Sequence, residues 1–340
     1  MIRHARLRLT FLLLLLLAST PLHVLAAPNA TVLPPAAQGL TQVEFSTGQM
    51  SKWTDLPMGT YRVPNSDVII SGHQKGGAAP FLLFGIIGMA VQGSVNAHNG
   101  KDAMASAEQA LTFSIDEEAK AKLQAAMAEP DYAAIFTSDA NADRKYEITG
   151  SVVLSFANQR EVLPYVVLRV KLLDKKGSKL WTTRYIASTG ARKPLAGDGS
   201  WTADNALRPQ VSKLLDLAIG TMLKDIAHPY PRDEASLVTV RGFFPHVNKP
   251  LQVVGYKLAE ENGRMLFLPK LGTTIVFAGV NILDTASVTH NPTVKGDKPL
   301  KLLKPNDPSL PAQDVAAAEP AATVSDDAAE VPETKEDGGN

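Results

Sequence analysis

Hydrophobic and polar positions alternate most regularly between Tyr146 and Ala187, and this stretch predicts three consecutive β-strands. In Glu147–Phe156, Ile148, Gly150, Val152, Leu154 and Phe156 share one side, with Thr149, Ser151, Val153 and Ser155 on the other. In Pro164–Leu173, Val166, Leu168, Val170 and Leu172 face one way while Tyr165, Arg169 and Lys171 face the other. Asp174-Lys175-Lys176-Gly177 then reverses the chain into Leu180–Ile186. A period of two with a Gly-containing turn predicts an antiparallel meander with one dry and one wet face.

The flanking patterns are helical. Ser114-Ile115-Asp116-Glu117 reads as a capping box opening a helix that stops before Pro130, and an earlier helix is expected through Ala103–Leu111. Over Ala206–Ala227, Leu207, Val211, Leu214, Leu215, Ala218, Met222 and Ile226 recur at three and four residues, a core-facing stripe. Tyr61–Ser71 reads as a strand whose first half is bent or held at an edge by Pro64. After Ser236 the pattern returns to β, with strands expected at Leu237–Phe244, Leu251–Ala259, Arg264–Leu268 and Thr273–Phe277 and a tight turn at Asn262-Gly263. These form a separate unit or an extension of the first sheet. The predicted fold class is α+β: a two-layer sheet whose three-strand antiparallel meander is covered by helices, followed by a small β-rich unit.

One apolar stretch has two readings. Gly76-Gly77-Ala78-Ala79-Pro80 opens into Phe81–Val91, interrupted by Gly85 and Gly88. It suits a buried helix start with Pro80 in its first turn, or a membrane-associated segment over 78–95 in which small residues let helices approach closely. Phe81, Leu82, Phe84, Ile86 and Ile87 are its candidate membrane or partner contacts. Gln92, Ser94 and Asn96 make its second half polar, which favours the core.

The N-terminus predicts export, with a cleaved signal peptide favoured over an uncleaved anchor because Pro21 and His23 cut the apolar stretch short. Arg3, Arg6 and Arg8 precede the apolar run Phe11–Ala18, and Val24-Leu25-Ala26 supplies small residues for cleavage, so residues 1–26 read as a secretory signal peptide. With no cysteine, disulfides and a lipid-modified cysteine are both excluded, and stability must come from a hydrophobic core. The remaining parse is an extended lead-in (27–58), a two-layer α/β domain (59–232), the β-rich unit (233–298) and a disordered acidic tail (299–340).

Formal charge is zero over 340 residues but unevenly placed. From Pro311 onward there are eight acids and one base, Lys335, which leaves the body mildly basic. That distribution lacks the concentrated basic face of a nucleic-acid binder. Lys295, Lys298, Lys301 and Lys304 recur at every third position among Pro292, Pro299 and Pro305. In polyproline II, with three residues per turn, they would line one edge as a contact for an anionic surface or for the acidic tail; otherwise they belong to a solvated linker.

No catalytic, cofactor-binding or metal-ligating constellation stands out. His73, His98, His228, His246 and His290 lack helical i, i+4 spacing, and no nucleophile elbow, Walker loop or Ser-x-x-Lys occurs. Gly197-Asp198-Gly199-Ser200-Trp201 reads as a turn. The element order, the Gly-interrupted helix start, the segment Leu172–Trp181 and the closing amphipathic helix resemble the small α/β domains of curli-assembly and transport-auxiliary lipoproteins of the bacterial envelope. The resemblance covers about half of the chain. It implies a periplasmic binding or assembly-accessory protein without catalysis, whose partners are other envelope proteins or a membrane surface. This chain departs from that group in lacking the lipid-modified cysteine.

Overall fold

The computed structural model describes residues 33–35, 39–48, 60–71, 108–158, 161–272 and 275–312. Strands β1 (Thr41–Phe45), β2 (Tyr61–Arg62) and β3 (Val68–Ser71) come first, followed by helices α1 (Asp116–Met127) and α2 (Pro130–Ala133). Next are β4 (Phe136–Thr137), β5 (Arg144–Phe156), β6 (Glu161–Asp174), β7 (Lys179–Ser188), β8 (Lys193–Pro194) and helix α3 (Leu207–Ala227). The chain then adds β9 (Leu237–Gly242), β10 (Leu251–Glu261), β11 (Arg264–Pro269), β12 (Val280–Asp284), β13 (Thr289–Pro292) and β14 (Leu300–Leu302).

All fourteen described strands belong to one mixed sheet, with the main path β13-β9-β10-β11-β12-β7-β6-β5-β1-β4. The meander expected from the alternation is its centre: β5, β6 and β7 pair antiparallel, and Gly177 turns the last hairpin at φ +80°. Asn262 and Gly263, both at positive φ, make the tight turn between β10 and β11. Around this centre the expected α+β arrangement is overturned. The described residues form mainly one large sheet with few helices, and among them no small helix-covered meander stands apart from a β-rich unit.

Two physical facts account for the difference. First, β12 lies parallel to β7, with Val280, Asn281 and Ile282 opposite Tyr185, Ile186 and Ala187, so strands on both sides of α3 share one sheet. The junction is tight at Gly279, where φ is +128° and an added Cβ would lie 2.3 Å from the Arg184 carbonyl oxygen. Only glycine fits such an approach. Second, the supposed wet face of β5 is dry: Thr149, Ser151, Val153 and Ser155 are all buried. They look into a second core with Tyr165, Val167, Ile186, Phe244, Phe267 and Phe277.

Helices α1 and α3 cover the first face only. The α3 stripe of Leu207, Val211, Leu214, Leu215, Ala218, Met222 and Ile226 packs on Ile148, Val152, Leu154, Val166, Leu168 and Val170. Each Leu, Val, Ile or Met of this stripe fully removed from water contributes roughly 1.5–3 kcal/mol. Helix α1 is capped differently from the expected box. Asp67, from the β2–β3 connection, accepts the Ile115 N–H at 2.9 Å and the Ser114 hydroxyl at 2.6 Å, so a distant carboxylate holds the helix entry.

Candidate interaction surface

The far end of the sheet carries the surface with the least local explanation. β14 pairs antiparallel with β10 through Leu300↔Val253, Lys301↔Gln252 and Leu302↔Leu251. The bonds Val254 N–H to Pro299 O and Leu303 N–H to Pro250 O fix which groups point inward. In an antiparallel ladder successive residues alternate, so Lys301 turns its N–H and C=O toward β10 while Leu300 and Leu302 turn theirs away. Among the described strands nothing pairs with that outer edge.

The side chains of this edge are also unsatisfied. Leu300 is 40% and Leu302 61% exposed, beside Leu251 and Val253, which are buried in the second core. The apolar face of the sheet therefore runs out onto a strand that water still reaches. Val294 adds a third exposed apolar side chain, at 65%.

Charge at this end is polarised. Asp297 accepts from the Thr239 hydroxyl at 2.6 Å and from the Val294 amide at 3.1 Å, contacts that hold its carboxyl below the usual range. Asp307 is lowered by the hydroxyl and amide of Ser309 and, less, by the charges of Lys301 and Arg241. The local acids are thus engaged by nearby donors. Lys295, Lys298, Lys301 and Lys304 are exposed, and among the described residues none of them reaches a carboxylate within ion-pairing distance. A strand edge with open backbone groups, exposed leucines and free cations can add an extended, acidic segment; it offers no reactive constellation.

The four lysines share a three-residue spacing in the sequence, and the structure brings them to one end of the sheet without a continuous polyproline II helix. Lys295 lies in a turn with Gly296 at φ +105°, Lys301 is in the ladder, and Lys298 and Lys304 flank β14. Phe81, Leu82, Phe84, Ile86 and Ile87 lie outside the described residues. Among the described residues no helix is long and apolar enough to cross a membrane. Leu300 and Leu302 escaped the pattern reading because Leu300-Lys301-Leu302, between Pro299 and Pro305, is too short to display a period.

Several other polar groups bond within the fold. Asp225, fully buried near the end of α3, receives Arg232 Nη1 and Nη2 at 3.0 and 2.9 Å, the Tyr185 hydroxyl at 2.9 Å and the Tyr230 amide at 3.1 Å. Burial, then the Asp225 charge, push the Tyr185 phenol well above its ordinary pKa, so it acts as a donor. The His246 pKa is lowered to about 4, first by burial and then by the Arg184 charge. Trp201, in the glycine-rich turn, buries its ring and donates its indole N–H to Val162 O at 2.9 Å. Among the described residues no group of three His, Asp or Glu side chains could hold a metal ion.

No family model matches the chain, and no curated protein matches it. It is similar to a solved structure from Caulobacter crescentus CB15, described as a "putative lipoprotein", at 12% identity and a TM-score of 0.23. The match covers 43% of this chain and 95% of the other. A likeness that small assigns neither fold nor function.

Proposed function

We propose that this is an exported, non-catalytic protein of the bacterial envelope that binds an assembly or accessory partner through the free edge of β14. The observation that carries the reading is the coincidence, on one short strand, of an open backbone edge, two exposed leucines and neighbouring unpaired lysines. Addition of a partner strand would satisfy the backbone groups, cover the leucines and use the cations for specificity. Export is supported by the order of basic, apolar and small residues over 1–26.

A photo-cross-linking residue introduced at Leu302 tests this, with a control at Lys176 in the β6–β7 turn. In cells exporting the protein, the 302 position is expected to yield one discrete adduct and the 176 position none. Adducts of equal yield at both positions, or none at 302, would contradict the reading. So would turnover of a substrate by the purified protein that a single point substitution abolishes.

A further inference from the structure

We infer that the free edge of β14 is occupied, in the unengaged protein, by the chain's own acidic C-terminal segment, residues 321–331. This rests on the reading of β14 as the binding edge and adds its regulation: a partner has to displace the tail.

Three observations select this occupant. The first is charge. Residues 313–340 carry eight acids and one base, and Asp326, Asp327 and Glu330 fall in the stretch 321–331. Among the described residues Lys295, Lys298, Lys301 and Lys304 form no ion pair, and Lys301 acts on Asp307 only from beyond ion-pairing distance. A second copy meeting edge to edge would instead place lysine-rich strands against each other, and like charges directly opposed are destabilising. The second is backbone chemistry. Pro320 and Pro332 bracket an eleven-residue stretch, 321–331, with no proline, so every residue in it has an N–H to donate. It includes Val324, an apolar side chain to set against Leu300 and Leu302.

The third is reach. Ser309 is held on β13, where its carbonyl oxygen accepts the Thr289 hydroxyl at 2.5 Å. The registers align Thr289, Arg241, Gln252 and Lys301 across β13, β9, β10 and β14. A strand on the outer edge of β14 therefore lies four strand spacings from β13, about 19 Å. An extended chain covers that in about six residues, and more than that separate Ala312 from Ala321. The tail can return to the edge without strain.

The test is amide hydrogen exchange on the full mature chain at low salt, compared with a full-length variant carrying Asp326→Asn, Asp327→Asn and Glu330→Gln. In the wild type, the outward amides of Leu300 and Leu302 and those of residues 321–331 are expected to exchange about tenfold more slowly than in the variant, the size expected from three exposed ion pairs. Added salt should erase the difference. The protection should not change with protein concentration. Equal exchange in the two proteins overturns the inference. Protection that grows with concentration assigns the edge to a second copy, which also overturns it. Equal binding of both proteins to phosphatidylglycerol vesicles at low salt would show that the lysines stand open to an anionic surface whether or not the tail is charged, with the same consequence. The tail inference can fail while the cross-link at Leu302 still forms, so the two claims are separable.

Discussion

Replacing Arg232 by Met should destabilise the protein far more than a surface charge change, because of where Asp225 sits. Asp225 lies in the last turn of α3, where the aligned peptide dipoles present partial negative charge and disfavour a carboxylate. It is also fully buried. Arg232 is the compensating charge, contacting both carboxylate oxygens at 2.9–3.0 Å. Without it, Asp225 keeps only the Tyr185 hydroxyl and the Tyr230 amide. Removing one partner of a buried pair costs about 3–5 kcal/mol, since the other charge is left uncompensated. With a urea m-value of about 3 kcal/mol/M, the unfolding midpoint should fall by roughly 1–1.7 M. Tryptophan fluorescence in urea reads this directly. The double variant Asp225→Leu/Arg232→Met should recover much of the loss, because replacing a buried pair by apolar groups is often neutral or better. A loss below about 1 kcal/mol in the single variant, or no recovery in the double, would refute the account of how α3 is anchored to β7.

His246 has its folded pKa lowered from 6.5 to about 4, so between these values the unfolded chain holds more protons on this ring. The stability it contributes is complete above about pH 6.5 and is lost as pH falls toward 4, up to about 3 kcal/mol. His246→Asn, compatible with the φ of +67° there, should flatten that part of the pH profile in urea melts; an unchanged profile counts against it. Gly279→Ala should cost about 3 kcal/mol by forcing β12 off β7, seen as a lower melting temperature; an unchanged melt would mean that the junction is not tight. Asp67→Ala should cost about 2 kcal/mol and raise exchange in the first turn of α1, leaving the β5–β6 amides protected.

Local pattern carried the centre of the fold and little beyond it. β5, β6, β7 and α3 were legible because each is long enough to show its period, as was the Asn262-Gly263 turn. β1 was missed within the expected lead-in, although Thr41, Val43 and Phe45 alternate with Gln42 and Glu44; five residues between proline-rich flanks read as a loop. A strand was expected at Thr273–Phe277, but the strand that joins β7 is β12, at Val280–Asp284, placed by the Gly279 approach rather than by its own pattern. The covered second face could not be read from the sequence, because Ser151 and Ser155 look like solvent-facing positions and are buried only through long-range packing. At the candidate surface the lysines were visible and the leucines were not. A three-residue strand declares itself only through its partner, and β10 lies some fifty residues earlier in the chain.

The central claim, that the β14 edge is where this protein engages a partner, is tested most directly by titrating the partner identified through the Leu302 cross-link against two purified proteins. One is the wild type; the other carries Leu300→Asp and Leu302→Asp, at exposed positions where the fold should tolerate the change. The account predicts an unchanged melting temperature and at least about a tenfold weaker Kd by calorimetry, since two leucine contacts are lost and like charges now meet an acidic strand. Equal affinity for the two proteins would contradict it.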